Sequence, residues 1–182
     1  MNLIKTKLDG LVVLKPTVFK DNRGYFTESY NQKNINKLLG KVNFVQDNES
    51  ESSRGVLRGL HFQKPPHTQA KLVRCLQGSI LDVVLDLRKE SKTYGIFETI
   101  SLTEENKKQL FIPKGFAHGF VVLSKSAIFS YKVDNYYNSD SESGVLWSDL
   151  DLNIDWKINK NEIIVSKKDK NLPTFNEIIN PF

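Results

Sequence analysis

The sequence predicts a mostly β fold, arranged as an antiparallel double sheet or barrel with short peripheral helices. Strand-like stretches recur every roughly 8–15 residues with Gly, Pro or Asn between them, which is typical of antiparallel proteins rather than of alternating βαβ units. A helical pattern is confined to one stretch, 31–40. Because no repeat or Gly-, Ser- or Pro-rich linker divides the chain, residues 1–182 are predicted to form a single domain.

Strands are predicted in segments that are bounded by turn-forming residues. These segments are 11–14, 42–47, 56–63, 71–76, 80–87, 96–102, 109–112, 119–123 and 128–133. In the predicted helix, Asn31 is placed to cap the first turn and Gly40 to end the last. Gln77-Gly78 predicts a tight hairpin turn, and the polar tail beyond Asp155 predicts short turns.

The segment 80–87 has the clearest strand pattern. Its apolar face carries Leu81, Val83, Leu85 and Leu87, and the other face carries Ile80, Asp82, Val84 and Asp86. Carboxylates are seldom fully buried. We therefore expect Asp82 and Asp86 to lie on a solvated face.

The charge distribution favours a small anionic ligand over a nucleic acid. The chain has 26 Lys and Arg against 21 Asp and Glu, a formal charge of +5, and the excess lies within residues 1–91. No run of four or more basic residues occurs. A modest, localised excess suits an anionic small molecule, and no nucleic-acid partner is predicted.

Cysteine content and the N-terminus predict a cytoplasmic protein. Cys75 is the only cysteine, so no intramolecular disulfide can form, and we expect it to be a small core residue. Lys5 and Lys7 lie where a signal peptide needs apolar residues. No window approaches the ~20 apolar residues of a membrane span, so no membrane partner is predicted.

Several strands carry polar side chains on faces that are otherwise apolar. Lys71 shares a face with Val73 and Cys75, and Tyr131 shares one with Phe129. Taken alone, a strand His, Tyr or Lys is more often structural than catalytic. If these faces point inward, however, Lys71 and Tyr131 converge with His61 and His118 on a mostly apolar cavity, where such groups must be paired or functional.

A metal site is not predicted. A β-barrel with scattered histidines suggests the cupin class, in which metal binding normally needs a His-x-His pair with a further His and Glu. Here the corresponding segment is His61-Phe62-Gln63, which lacks the second ligand. His67 follows Pro65-Pro66 in a predicted loop, where we expect it to face solvent.

A series of motifs in fixed order is similar to those of the dTDP-4-dehydrorhamnose 3,5-epimerase family, over residues 10–172. The motifs are Phe19-Lys-Asp-Asn-Arg23-Gly-Tyr-Phe26-Thr-Glu28, Gln46-Asp-Asn48, Gly55-Val-Leu-Arg58-Gly-Leu-His61-Phe-Gln63, Gln69-Ala-Lys71-Leu-Val-Arg-Cys75, Asp82-Val-Val-Leu-Asp86-Leu-Arg88, Ile112-Pro-Lys-Gly-Phe-Ala-His118-Gly-Phe120, Tyr131-Lys and Trp147-Ser-Asp149. Each motif is weak alone, but their joint order and spacing make the resemblance specific.

The resemblance implies a homodimeric, cupin-type jelly-roll that inverts C3 and C5 of a dTDP-linked 4-keto-6-deoxyhexose without a metal or organic cofactor, on the route to dTDP-L-rhamnose. It implies that His61 is the general base, Tyr131 the general acid, Asp169 the carboxylate paired with His61, and Lys71 the residue beside the substrate ketone. The implied substrate contacts are Arg23, Glu28, Gln46, Asn48, Arg58, His118, Tyr137, Glu142 and Lys168, with Lys167 as the alternative to Lys168 and Tyr136 as the alternative to Tyr137.

The chemistry of these residues agrees with the implied roles. Arg23 and Arg58 have planar guanidinium groups suited to a diphosphate, while Gln46 and Asn48 alternate on one strand face and can read a pyrimidine edge. Arg58 and His61 are three residues apart, so a regular strand would point them to opposite faces. We therefore expect a bulge or bend near Gly55 or Gly59.

Other functions remain open from the sequence. One is a mono-epimerase acting at C3 or C5 only, or a 3,4-ketoisomerase-like sugar enzyme on the same scaffold. Another is a cupin that binds a sugar nucleotide without catalysis, although binding alone requires neither an acid nor a base. The exact sugar, the base, the order of the two inversions and the final product also remain open.

Overall fold

The structure, a computed structural model describing residues 1–182, is a two-sheet β jelly-roll, which confirms the predicted fold class. Its strands are β1 (Asn2–Lys5), β2 (Val12–Lys15), β3 (Phe19–Asp21), β4 (Gly24–Phe26), β5 (Gln46–Ser53), β6 (Val56–Gln63), β7 (Lys71–Gln77), β8 (Ser79–Asp86), β9 (Phe97–Thr103), β10 (Gln109–Ile112), β11 (Phe116–Val122), β12 (Ser126–Val133), β13 (Glu142–Gly144) and β14 (Ile164–Val165). The α-helices are α1 (Gln32–Leu39) and α2 (Lys167–Lys170), and short 3₁₀ helices span Ser139–Ser141 and Lys160–Glu162.

The strands form two sheets and a separate hairpin. The first sheet has the order β1-β2-β10-β7-β12-β5, and its ladders are all antiparallel. The second sheet has the order β13-β6-β11-β8-β9, with β14 pairing in parallel with β6. β3 and β4 pair only with each other.

The main core lies between the two sheets. Phe129 on β12 and Phe120 on β11 pack with their ring centroids 4.3 Å apart, and both are buried. Val73 and Cys75 on β7 belong to the same cluster, which confirms that Cys75 is a core residue. The faces of β7 and β12 that carry Lys71 and Tyr131 therefore point inward, which is the condition under which the sequence analysis expected these groups to converge on a cavity.

The outer faces of both sheets are also covered. Ile35 of α1 packs with Leu72 and Phe111 on the outside of the first sheet. The segment after β13 covers the second sheet, where Trp156 and the C-terminal Phe182 pack against its apolar residues. Asn31 caps α1 by accepting a hydrogen bond from the backbone N–H of Asn34, as predicted.

The expectation of a solvated face for Asp82 and Asp86 is wrong, because both side chains are fully buried. β8 is an interior strand between β11 and β9. Its apolar face packs under the C-terminal segment, and its other face looks toward the first sheet. A strand covered on both sides has no solvated face, so its two carboxylates must be satisfied inside the protein.

Three further sequence expectations need correction. The strand predicted at 42–47 is β5, Gln46–Ser53. Gly78 does not close a hairpin: β7 pairs with β10 and β12, whereas β8 pairs with β9 and β11, so this turn passes between the sheets. His67 is half-buried, with its Nδ1 2.8 Å from the Ser141 hydroxyl, because the chain around Ser141 folds over the loop.

The predicted bulge between Arg58 and His61 is present. On β11, His118 pairs with His61 and Phe120 pairs with Arg58, so two steps on β11 match three on β6. Gly59 has φ +113°, and a Cβ there would lie 2.6 Å from the Cα of Gly119. Only glycine fits this close approach, and the extra residue turns Arg58 and His61 toward the same side.

Candidate active site

A cavity of about 460 Å³ opens between the two sheets and gathers most of the predicted site. β6, β7, β11 and β12 supply its walls, and α2 with β14 closes one side. The predicted site residues that line it are Arg58, His61, Lys71, His118, Tyr131, Lys168 and Asp169. Lys167, the alternative to Lys168, does not line the cavity.

His61 and Asp169 form a close pair. The Nε2 atom of His61 lies 2.7 Å from Oδ1 of Asp169, which is buried, and Oδ2 of Asp169 accepts the backbone N–H of Gly59 at 3.3 Å. Burial raises the pKa of Asp169, but the hydrogen bonds from His61 and Gly59 outweigh it, so the pKa lies below its ordinary value. The ionised carboxylate accepts one ring N–H, which leaves the lone pair on the other ring nitrogen of His61.

α2 is what holds Asp169 against β6. Ser166 caps this short helix by accepting the backbone N–H of Asp169 at 3.0 Å. β14, immediately before it, pairs with Val56 and Leu57 of β6. The C-terminal segment therefore fixes the carboxylate beside His61, although 108 residues separate the two in the chain.

Tyr131 faces His61 from the opposite sheet. Its ring lies on Phe129, with 5.7 Å between centroids, and the side chain is half-buried. Burial raises the pKa of Tyr131, and neighbouring Arg58 lowers it by less, so the phenol keeps its proton at neutral pH. The cavity thus has a proton acceptor on one wall and a proton donor on the other.

Lys71 supplies positive charge to the same cavity. It stands at the start of β7, on the face that carries Val73. Burial lowers the pKa of Lys71 to about 8, with Asp82 and Glu142 opposing the shift. At neutral pH most of this group is an ammonium ion, which can stabilise an oxyanion in a cavity of low dielectric constant.

His118 is supported by a residue that the sequence analysis missed. Its Nε2 lies 2.9 Å from Oδ2 of Asp82, and both side chains are buried. Burial lowers the pKa of His118, opposed by Asp82, so the ring is neutral at pH 7. The available signal for Asp82 was a carboxylate on the same face of β8 as Ile80 and Val84, which the sequence analysis wrongly took to be exposed.

Some predicted contacts lie at the rim. Glu142 accepts the hydroxyl of Tyr137 at 2.7 Å and forms an ion pair with Lys168 of the cavity. On the edge strand β5, the amide of Gln46 donates to Asn48 at 2.8 Å, and Asn48 pairs with Tyr131 in the ladder. These residues border the cavity without lining it.

Arg23 and Glu28 lie away from the cavity of their own chain. Arg23 is in the β3–β4 hairpin, with its side chain 85% exposed and paired with Asp21 at 2.6 Å. Glu28 accepts hydrogen bonds from Asn31 and Asn34 at the start of α1. Neither residue lines the cavity of a single chain.

Comparisons with known proteins agree with this geometry. The family model for dTDP-4-dehydrorhamnose 3,5-epimerase matches residues 5–177. The chain is 51% identical to the dTDP-4-dehydrorhamnose 3,5-epimerase of Shigella flexneri, over 94% of each chain.

Solved structures of such enzymes superpose closely. The dTDP-4-dehydrorhamnose 3,5-epimerase of Elizabethkingia anophelis is 54% identical, with a TM-score of 0.94 over 99% of this chain and 98% of that one. An epimerase of Legionella pneumophila in complex with dTDP-4-keto-L-rhamnose is 45% identical, with a TM-score of 0.93 over 97% and 94%. With both its sequence and its two-sheet architecture matched over nearly the whole length, this chain belongs to the dTDP-4-dehydrorhamnose 3,5-epimerase family.

Proposed function

We propose that this chain inverts C3 and C5 of dTDP-4-keto-6-deoxyglucose, as an isomerase that needs no metal or organic cofactor, in the formation of dTDP-L-rhamnose. The observation that carries the proposal is the placement of the His61–Asp169 pair and Tyr131 on opposite walls of one cavity. Inversion requires removal of a proton from one face of a carbon and its return to the other. A base and an acid on facing sheets meet that requirement.

His61 carries out the first step. Its free ring nitrogen takes the proton from the carbon beside the C4 ketone, and the electron pair of the C–H bond moves into an enolate whose charge falls on the C4 oxygen. Asp169 stabilises the imidazolium that forms. The Lys71 ammonium lies beside the charged oxygen and offsets the cost of forming it in a partly apolar cavity.

Tyr131 completes the inversion. Its phenol donates a proton to the opposite face of the same carbon, the enolate returns to the ketone, and His61 and Tyr131 then return to their starting protonation states by exchange with water. Since C3 and C5 both adjoin C4, one set of groups serves both carbons. This role requires a protonated phenol, and the raised pKa of Tyr131, caused first by burial, supports it.

The remaining contacts would hold the nucleotide. Arg58 and Lys168 are cations at the cavity wall and suit the diphosphate. His118 would hold the sugar. Gln46 and Asn48 offer amides to a pyrimidine edge, and Tyr137 offers a ring to its face. Glu142 would orient Lys168 and Tyr137, both of which it binds.

The proposal includes a homodimer in the cytoplasm. Phe19, Tyr25 and Phe26 of the β3–β4 hairpin are 63%, 56% and 69% exposed, and Arg23 extends from the same hairpin. A second copy would cover these apolar rings and receive Arg23 and Glu28 at its cavity. No helix of the chain has the length and apolar character needed to cross a bilayer.

Deuterium exchange tests the proposed function. When the protein is incubated in heavy water with dTDP-4-keto-6-deoxyglucose, we expect NMR and mass spectrometry to detect deuterium at both C3 and C5. Exchange at one carbon only would replace the proposal with a mono-epimerase. Saturable dTDP binding with no exchange would replace it with a binding protein.

His61→Asn provides the mechanistic arm of this test. We expect exchange to fall by at least about 100-fold because the base is lost, with dTDP affinity retained. His67→Asn is the matched control, since His67 lies outside the cavity. Equal activity of the His61→Asn variant and the unmodified protein would remove His61 from the mechanism.

A further inference from the structure

Asp82 is the buried group that the proposed mechanism does not yet use. It lies on the interior strand β8 with no exposed surface. One carboxylate oxygen, Oδ2, is 2.9 Å from Nε2 of His118. The other, Oδ1, is the only buried side-chain polar atom in the chain that forms no hydrogen bond. Such an atom is costly to keep and calls for a functional explanation.

The cavity residue Lys71 provides that explanation. Lys71 and Asp82 lie on the inward faces of β7 and β8, which belong to different sheets. The ammonium of Lys71 forms no ion pair, although Asp82 is the first of the two acids that oppose the lowering of its pKa by burial. The second acid, Glu142, is already engaged by Lys168 and Tyr137. Burial raises the pKa of Asp82, and His118 and Lys71 oppose that rise. In its ionised form, Asp82 is therefore the acid that is left to balance Lys71.

Other titratable groups lie on the elements around Lys71. Glu142 on β13 opposes the lowering of the pKa of Lys71, and the groups that line the same cavity are His118 on β11, Tyr131 on β12 and His61 and Arg58 on β6. Asp169 and Lys168 of α2 line the far side of the same cavity. His118 is neutral and Tyr131 protonated at pH 7, while Arg58 and Lys168 are cations that disfavour another positive charge. A nearby anion is thus required to keep Lys71 charged.

We propose that Asp82 is a positioning residue for the epimerisation: one oxygen fixes the ring of His118, and the other serves as the counter-ion that keeps Lys71 charged beside the enolate oxygen. This inference rests on the proposed function, because it assigns Lys71 to a ketone substrate. Asp82 contacts His118 and does not line the cavity, so it touches neither the reacting carbon nor the general base His61.

The Asp82→Asn variant tests this role, because it removes the charge and keeps the shape. Without the anion, the pKa of Lys71 falls below about 8, and less of the group is charged at neutral pH. We expect kcat for deuterium exchange to drop at least about tenfold at pH 7.5. We also expect the alkaline limb of kcat to move to lower pH by about 1.5 units, the shift that a nearly tenfold loss of charged Lys71 at pH 7.5 requires, with KM changed less than about threefold.

Asp86→Asn is the matched control. Asp86 is on the same strand and face, is equally buried, and binds Arg88 outside the cavity. We expect this variant to lose stability but to keep the pH profile of the unmodified protein. An unmoved alkaline limb in a folded Asp82→Asn protein would overturn the inference, as would a higher KM with unchanged kcat.

A second measurement applies if the Asp82→Asn protein does not fold. The pKa of the Asp82 carboxyl is followed by carbon-13 NMR in the unmodified protein and in the Lys71→Met variant. We expect the pKa of Asp82 to rise when the neighbouring cation is removed, and an unchanged value would overturn the pairing. This titration needs no substrate, so a failure of the proposed function, seen as no exchange by the unmodified protein, is distinguishable from a failure of the inference.

Discussion

At the scale of single residues, the His61–Asp169 pair is the feature with the most direct chemical consequence. We expect Asp169→Asn to lower the exchange rate about 10- to 100-fold, because an amide cannot stabilise the imidazolium by charge. The dTDP affinity should be unchanged, since the contacts of Asp169 are with His61 and with the backbone of Gly59. Rate and affinity are measured by isotope exchange and calorimetry.

Asp155→Asn is the control for that substitution, because Asp155 is exposed in the same C-terminal segment and pairs with Lys157. It should leave the exchange rate unchanged. A rate for Asp169→Asn within twofold of the unmodified protein would show that the carboxylate is structural only.

Asp86 gives a prediction about acid stability. Burial raises the pKa of Asp86, but hydrogen bonds from Arg88, Ser91 and Thr93 outweigh it and lower the pKa to about 2. Because the folded-state pKa is depressed, the stabilisation is full above the unfolded-state pKa of about 4 and is lost as the pH falls toward 2. The expected contribution is about 2 kcal/mol at neutral pH.

Urea unfolding of the unmodified protein and of Asp86→Asn from pH 2 to 7 measures this contribution. The free-energy difference between the two should shrink as the pH falls from about 4 to about 2. A difference that stays constant across this range would show that the ionised form of Asp86 is not selectively stabilised.

At the scale of elements, the bulge in β6 decides the orientation of the site. We expect Gly59→Ala to reduce both stability and exchange, because its Cβ would lie 2.6 Å from the Cα of Gly119 and 2.7 Å from the carbonyl oxygen of His118. The backbone at φ +113° adds strain. Relief of the clash must separate β6 from β11, which pairs His61 with His118.

Gly24→Ala separates strain from crowding. Gly24 has φ +129° but no atom within 4 Å of its added Cβ. We expect Gly24→Ala to cost about 1 kcal/mol in the free energy of unfolding and Gly59→Ala at least about 3 kcal/mol. Equal losses in thermal or urea unfolding would show that β6 and β11 need no close approach.

The element boundaries that the sequence misplaced also have a structural reason. β5 was predicted too early because Gln46–Ser53 is wholly polar and has no hydrophobic alternation. One face of this edge strand meets the site: Ser50 lines the cavity, and the Ser52 hydroxyl accepts a hydrogen bond from Arg58 at 3.2 Å. A strand whose inner face lines a ligand cavity with polar side chains does not show the hydrophobic alternation of a core strand.

At the scale of the whole molecule, the position of Arg23 on an exposed hairpin predicts complementation between subunits. Arg23→Ala and His61→Asn chains should each be nearly inactive as proposed homodimers. A hybrid dimer contains one chain of each kind. If the hairpin of one chain reaches the cavity of the other, one of the two cavities then has both an intact His61 and an intact Arg23. Random mixing by denaturation and refolding should restore about one quarter of full exchange activity.

Each variant refolded alone is the control, and light scattering measures the number of chains per particle. If dimers shown to contain both variants recover no exchange activity, Arg23 and His61 of the same chain must act in one cavity. A monomer in solution would contradict the homodimer itself.

The sequence by itself determined the mostly β fold, the side chains that share a face with Lys71 and with Tyr131, the need for a bulge before His61, and membership of the family. These follow from period-two patterns and from motif order, both of which are local properties of the chain. A period-two pattern divides a strand into two faces, but it does not say what lies against each face.

Only the tertiary structure decided what each face meets. The cover of β8 on both sides buries Asp82 and Asp86. The change of sheet at Gly78 puts Lys71 and Asp82 on the inward faces of two different sheets. The C-terminal segment brings Asp169 to His61 across 108 residues. Burial and long-range contact depend on packing between distant segments, and that packing places Asp82, an expected surface acid, against His118 of the site.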